Sequence, residues 1–552
     1  MYKLKLAAPI CIAASLFFVA GTTAASDKEA FGLQIAKDIN PDPKIMEINL
    51  EARIDYVEIK PGIFSQVYSY NGVVPGPLIK AKVGDTLIVH FTNSLPEPTT
   101  IHWHGIRLPA DMDGASVAQN PIQPGQTFRY EFVLKDASMF WYHPHVRSNE
   151  QVEKGLAGAI LVEPNDNQLD NSAALDQLSN LKQRILVLDD ILLDKNGQIE
   201  DAFTGTGKEI LLKKINGRTG NTMLVNGREL PTMKVKSGVP LRWRMVNVAN
   251  TRFMNIEVPG HTLTRIGGDG GLLESPITGL NTIKIVSGER ADIVFTPVGA
   301  PGTELIVYWK DVVRGRHTID IIPNPDPTKM DTVIMGKDPM DGSYPDIPLM
   351  KLVFKKGKAK ALQLPRQLRT ITPIDITGAT ESTFNFDHSM PMANGMIKFL
   401  INGKTFAEMT SADAPDASVG ETQVWNLANM SGGDHPFHLH GFFFQVLETI
   451  QKDAAGNIIK IIPAPPMEDK DVVNLPRSPS GEGSVTIVKI AIKFDPAQGL
   501  SANDIMANGG VANIINADLD NGQRGHSGGW QFHCHILEHA DTGMMSFVEI
   551  WN

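Results

Sequence analysis

Apolar residues recur at every second position in many short runs of this chain, as in Leu87, Val89, Phe91 and Leu241, Trp243, Met245. Turn-forming residues bound these runs. A period of two between turns predicts half-buried β-strands. QTFRYEFVL, IKIVSGERADIVFTP and SVTIVKIAIKF read the same way, and helical periodicity is rare and brief. The expectation is an all-β protein built of sandwiches or barrels.

The strands also repeat. NGVVPGPLIKAKVGDTLIVHFTN starts at Asn71 and NGRELPTMKVKSGVPLRWRMVN at Asn226. A third copy starts with NGKTF at Asn402 and resumes as VGETQVWNLAN. In each copy a glycine precedes an asparagine by nine positions: Gly84 and Asn93, Gly238 and Asn247, Gly420 and Asn429. Three copies predict three sandwich domains in a row, spanning 26–167, 168–328 and 329–552, the last with a linker carrying one strand from Asp331 to about Arg369.

The first residues depart from this pattern. Lys3 and Lys5 precede an apolar run to Ala20 and small residues ending Thr23-Ala24-Ala25. That order predicts a secretory signal over residues 1–25 and a periplasmic or secreted protein, with no stable membrane insertion after cleavage. Cleavage removes Cys11 and leaves Cys534 as the single cysteine, unable to form an internal disulfide. A lone thiol in an oxidising compartment calls for an occupant, and a metal is one. The net charge of −10 and the absence of long basic runs argue against a nucleic-acid partner.

Ten of the 15 histidines fall in four clusters: IHWHG (His102, His104), WYHPH (His143, His145), HPFHLHG (His435, His438, His440) and HCHILEH (His533, His535, His539). Each contains His-x-His, which on a strand presents two imidazoles from one face. One such pair is weak evidence; four, divided between the first and third repeats, fit several metal ions at a domain interface. Parity then separates two sites. His533 and His535 face one way and Cys534 the other; His438 and His440 share a face and His435 is an odd step away. Cys534 and His435, joined by His539 and Met544 from beyond the strand, form the two-histidine, thiolate and thioether set of a blue-copper electron-transfer site. The remaining histidines, His90, His261, His317, His388 and His526, read as surface or packing residues, and Trp103 and Trp141 as shielding around the clusters.

Taken together, HWHG, HPH, HPFHLHG and HCHILEHADTGMM resemble the motifs of the multicopper oxidases, the family of laccases and bacterial cuprous oxidases, over essentially the whole mature chain. The resemblance implies three consecutive cupredoxin-like Greek-key β-sandwich domains and four copper ions. A type 1 copper would take His435, Cys534, His539 and axial Met544, leaving Met545 to packing. A type 2 copper would take His102 and His438, and two type 3 coppers would take His104, His143, His535 and His145, His440, His533. The middle repeat, lacking such motifs, would be structural. The implied reaction is one-electron oxidation of donors at the type 1 site, coupled to four-electron reduction of dioxygen to water.

That reduction consumes protons. Asp113 matches the family's acidic residue near the cluster and is expected to deliver them, with turn formation in MDG as its alternative role. Where similar bacterial enzymes often carry Glu after the last type 1 histidine, this chain has Ala540, leaving Glu538, Asp541 or water for a second proton route. Donor choice is less legible. Asp434 precedes His435 and reads as a turn residue more readily than as a donor-binding one. Met330, Met335, Met340 and Met350, and Met390, Met392 and Met396, fall short of a dedicated thioether segment. The expectation is a laccase-like oxidase of phenolic or similar aromatic donors, with oxidation of Cu(I) or another metal ion as the alternative. A copper carrier would not need a thiolate site wired to a histidine cluster, and a copper nitrite reductase would not need eight paired histidines.

Overall fold

The computed structural model describes residues 30–165, 177–178, 180–326, 328–479, 483–495 and 526–551, without the side chains of 526–528. The signal-like segment with Cys11, the boundary at 167/168 and the side chain of His526 lie outside the described residues. Strands dominate and pair into three successive two-sheet units. The first unit packs the sheet Ile63–Tyr70, Ile45–Lys60, Thr86–Asn93, Thr127–Val133 with the sheet Gly76–Lys82, Gly158–Glu163, Met139–His143, His102–His104. The middle unit has sheets of seven and five strands, and the third has sheets of six and five. Among the described residues no helix is long and apolar enough to cross a membrane.

The Gly–Asn repeat has a physical basis. In each unit the strand ending at its asparagine pairs in parallel with an upstream strand: Ile45–Ala52 with Thr86–Asn93, Lys182–Leu188 with Leu241–Asn247, and Thr380–Phe386 with Thr422–Asn429. Asn93, Asn247 and Asn429 are fully buried. Each side-chain amide donates to carbonyls of two separate loops: Glu97 and Ile122, Arg252 and Ile285, Gly433 and Leu475. Each Oδ1 accepts the amide two residues on, from Leu95, Ala249 and Ser431. Loops leaving a sheet end carry main-chain groups that lack ladder partners, and leaving one buried and unpaired costs about 1–3 kcal/mol. Ahead of each strand, Gly84, Gly238 and Gly420 turn the chain at φ of +90°, +73° and +85°, a region that favours glycine.

The stretch expected as a linker is not free-standing. Its strand, Ile347–Lys355, lies between Thr232–Lys236 and Glu304–Trp309 in the five-stranded sheet of the middle unit, burying Leu349, Met350, Leu352 and Phe354. A second strand, Thr332–Lys337, pairs with His317–Ile322. Burial of this apolar row is a tertiary property that the local pattern of one strand does not disclose.

Most of the middle unit's apolar core is a separate cluster, while residues of the first and third units form one contiguous cluster that includes Phe437, Phe532, Cys534 and Met544 and takes in Leu211, Ile215 and Ile319 of the middle unit. Two histidine-bearing strand pairs therefore meet. In the first unit His102 pairs with His143 and His104 with Trp141. In the third, His438 pairs with His533 and Phe437 with Cys534.

Candidate metal centre

Opposite faces of His533–His535 serve different neighbours, as strand parity requires. The Cys534 sulfur lies 3.4 Å from His435 Nδ1 and 3.6 Å from His539 Nδ1, and those two nitrogens are 3.2 Å apart. His533 Nε2 lies instead 3.3 Å from His145 Nε2 and 3.2 Å from His440 Nε2. The His535 ring approaches those of His104 and His143, with centroids 5.0 and 5.8 Å away. His102 Nε2 faces His438 Nε2 at 3.4 Å. Five groups thus place ligand atoms within 4.8 Å of one another: His435, Cys534, His539; His104, His143, His535; His145, His440, His533; His102, His104, His438; and His102, Asp113, His440. The main chain of Met544 is tied to the first group, its carbonyl accepting from Cys534 N at 3.1 Å and its N–H donating to His539 O at 2.9 Å, and its side chain is buried. Among the described residues, His90, His261, His317 and His388 join none of these groups; His90 pairs with Glu47 at 2.6 Å.

The outward ring nitrogens are largely spoken for. His102 Nδ1 donates to the Asp113 carbonyl, His438 Nδ1 to the Asp471 carbonyl and His143 Nδ1 to Pro144, each at 2.9 Å. His533 Nδ1 donates to the Cys534 carbonyl at 3.0 Å. At the sulfur site the pattern reverses: His435 Nε2 meets Ser431 Oγ at 2.7 Å and His539 Nε2 donates to the Ile215 carbonyl at 3.1 Å, leaving both Nδ1 atoms toward Cys534. His104 is the exception within the cluster, its Nε2 held by Asp471 Oδ1 at 3.1 Å. Among the ring nitrogens of the clustered histidines, His104 Nδ1, His143 Nε2 and both nitrogens of His535 are buried without a hydrogen-bond partner. Converging imidazole nitrogens without hydrogen-bond partners fit metal coordination, with tautomers fixed by their outer partners.

Electrostatics agree. Burial, reinforced by neighbouring imidazoles, holds His104, His143, His145, His438, His440 and His535 well below the ordinary histidine range. Burial takes His533 down to about 4 and His435 to about 3. These eight rings are therefore neutral, the form that binds metal. Burial pushes the Cys534 thiol upward, so the apoprotein keeps its proton until a metal displaces it.

Sequence reasoning located the donors but not what holds them. Asp471 had no signal in EDKDVVNLP. It is buried and forms a two-pronged pair with the fully buried Arg290 of the middle unit, one contact being Nη1 to Oδ1 at 2.6 Å. Gly288, also of the middle unit, has φ of +84°; a Cβ there would stand 2.8 Å from His535 Cδ2 and 3.0 Å from His104 Cε1. The middle unit is thus structural in a specific sense, its backbone lying against two cluster rings. Trp141 stacks on His143 at 4.2 Å, and Trp103 packs against Tyr130 and Phe132.

Both acidic expectations near the cluster gain detail. Asp113 is buried; its Oδ2 accepts from His440 Nδ1 at 2.7 Å, while Oδ1 lies 3.2 Å from His102 Nδ1. It also closes the short turn at Ala110–Met112, the alternative role expected of it. Beside the buried Ala540, Glu538 accepts from Asn250 at 3.1 Å, and Asp541 accepts from Asn149 N at 2.7 Å. Burial raises Glu538. Asp434 spends its carboxylate on Asn474 and the Arg477 amide and is 7% exposed, so it pins the 474–477 segment.

The sulfur site is roofed. His435 and His539 are 1% and 3% exposed, and Phe399 stacks on His539 at 3.9 Å. The helix Gly207–Asn216, started by a Thr206–Glu209 capping box and held down by Leu211 and Ile215, brings the Ile215 carbonyl to His539. The 389–396 segment rests on this helix through Lys214 Nζ, which donates to Gly395 O at 3.1 Å, and exposes Met390, Met392 and Met396. Met350 is core, while Met330 and Met340 are exposed.

Family models described as multicopper oxidase match residues 53–167, 188–319, and 369–493 with 514–550. A multicopper oxidase of Staphylococcus aureus is 26% identical over 513 residues, 91% of this chain and 88% of that protein. A laccase of Bacillus subtilis is 24% identical, covering 88% and 90%. Among solved structures, a multicopper oxidase from Campylobacter jejuni, described as a metallo-oxidase, superposes with a TM-score of 0.70 at 25% identity, covering 94% of each chain. One from Aquifex aeolicus gives 0.67 at 25% identity, over 94% and 99%.

Proposed function

This chain belongs to the multicopper oxidase family and is a copper-dependent oxidoreductase with oxygen as acceptor, and from that premise we propose that it oxidises small phenolic or similar aromatic donors and reduces dioxygen to water. Four copper ions would be held: one by His435, Cys534, His539 and Met544, one by His102 and His438, and two by His104, His143, His535 and His145, His440, His533. When bound, copper supplies one-electron transfer at the sulfur site and multi-electron oxygen chemistry at the eight-histidine cluster.

The observation that carries this reading is the alternation at His533-Cys534-His535. The thiolate that would receive an electron is one peptide unit from imidazoles of both three-histidine groups, which makes a continuous covalent path. Asp113 is assigned proton delivery. One oxygen orients His440 and the other lies 3.2 Å from His102 Nδ1, which places the carboxylate against rings of the cluster, where it can carry a proton. The signal-like N-terminus supports a periplasmic or secreted location, tested by fractionating cells and sequencing the mature N-terminus.

The deciding experiment is oxygen uptake by copper-loaded protein with substituted phenols and Cu(I) in parallel. Fast uptake with phenols supports the proposal; fast uptake with Cu(I) alone replaces it with the second reading, metal-ion oxidation. One observation favours that alternative. The exposed thioethers of Met390, Met392 and Met396 lie on the roof of the sulfur site, and thioethers suit Cu(I).

A further inference from the structure

On the middle unit's side of the helix Gly207–Asn216 lies a cavity of about 570 Å³, a size that takes a small organic molecule. Four cations line it. Three are neutralised: Lys213 by Glu200 at 3.2 Å, Arg252 by Asp190 at 2.7 Å, and Arg316 by Asp311 and Asp341. Arg314 is different. It is 5% exposed, its Nη2 donates to the Asn216 carbonyl at 2.8 Å, and among the described residues no carboxylate lies within ion-pair distance of it. Asp338, the acid in the wall, accepts from the Tyr344 hydroxyl at 2.7 Å. Burial, with Arg316 and Arg252 nearby, lowers Arg314 to about 10, which leaves it cationic at neutral pH.

Asp341 and Asp434 act on the Arg314 guanidinium only from beyond contact, and a buried guanidinium with no carboxylate against it is costly and attracts an anion. The rest of the wall is aromatic. Phe253 and Trp309 are buried, Tyr344 is 41% exposed, and Trp309 is fixed by donating Nε1 to the Phe253 carbonyl at 2.8 Å. We propose that this cavity binds a small aromatic carboxylate, its carboxylate paired with Arg314 and its ring against Phe253, Trp309 and Tyr344. The position is consequential. Arg314 holds the Asn216 carbonyl, next to the Ile215 carbonyl that accepts from His539, and its own carbonyl accepts from Asp434 N, next to His435. A ligand on Arg314 is therefore linked through that residue to the helix end that holds His539 and to the segment that leads into His435.

Titration calorimetry of the full protein with sodium benzoate tests the proposal. Benzoate has no oxidisable phenol, so the result is independent of which donors are turned over. Expected are saturable one-to-one binding, at least tenfold weaker binding of neutral benzamide, and at least tenfold weaker benzoate binding in Arg314→Gln, each reflecting one charge-assisted contact. Leu212→Trp, which fills the cavity from the helix side and leaves Arg314 in place, should abolish binding. Equal affinities for benzoate and benzamide, or wild-type benzoate binding in folded Leu212→Trp, would overturn it.

Discussion

Asp471→Asn is the sharpest perturbation of the cluster that leaves every proposed copper ligand in place. The substitution keeps the side-chain shape and removes one charge. In the native protein Arg290 is fully buried and Asp471 is its two-pronged partner. Removing one partner of a buried pair costs about 3–5 kcal/mol. Arg290 keeps other acceptors, including Asp269 Oδ1 at 3.5 Å and the Met139 carbonyl at 3.0 Å. The loss should therefore fall near the lower end, about 3 kcal/mol, or a drop of roughly 6–12 °C in the calorimetric midpoint of copper-free protein. The same carboxylate holds His104 Nε2 at 3.1 Å and so aims Nδ1 into the cluster. Loss of such an outer partner lowers metal affinity by about 10–100-fold, measured by competition with a chelator. Asp292→Asn is the control: it removes the Asp292 carboxylate from Arg242 but touches no ligand, and should cost stability without changing copper affinity. An Asp471→Asn protein with wild-type midpoint and copper affinity would refute the positioning argument.

Four further outcomes follow from the same geometry. Cys534→Ser should abolish the intense blue absorption and donor oxidation together, read by visible spectroscopy and oxygen uptake; retained colour contradicts the sulfur-site assignment. Asp113→Asn should slow oxygen reduction by about 10²–10⁴-fold with copper content intact, and an unchanged rate removes Asp113 from proton delivery. Gly288→Ala should lower occupancy of the cluster, because its Cβ would sit 2.8 Å from His535 and the positive φ adds about 1–2 kcal/mol of strain; copper analysis giving full loading would count against this contact. Copper-free protein should lose stability as pH falls from about 6.5 toward 4. His435 and His533 have folded values of about 3 and about 4, below their unfolded value, so the unfolded chain binds more protons in that window. These two groups alone give a slope of about 3 kcal/mol per pH unit, to which His104, His143, His145, His438, His440 and His535 add in the same direction, and a flat urea-midpoint profile between pH 6 and 4.5 would show that the rings are not buried neutral.

Much of this protein was legible in one dimension because the decisive information is local. Strand parity alone assigned Cys534 and His533 to different neighbours, and the spacing of Gly84 to Asn93 and its two copies reported a strand whose terminal amide ties down two loops. Ligand identity is likewise written in the residues, since thiolate, thioether and imidazole have chemical preferences that do not depend on fold. The tertiary structure alone decided which histidines meet. His145 and His440 share a neighbour in His533 because the first and third units close on one another. It also decided that Asp471 and Gly288 support rings from far along the chain, that Ile347–Lys355 completes the middle sheet, and that a helix roofs the sulfur site. Those contacts depend on how apolar faces distant in sequence bury against each other, and no periodicity within a single strand carries that information.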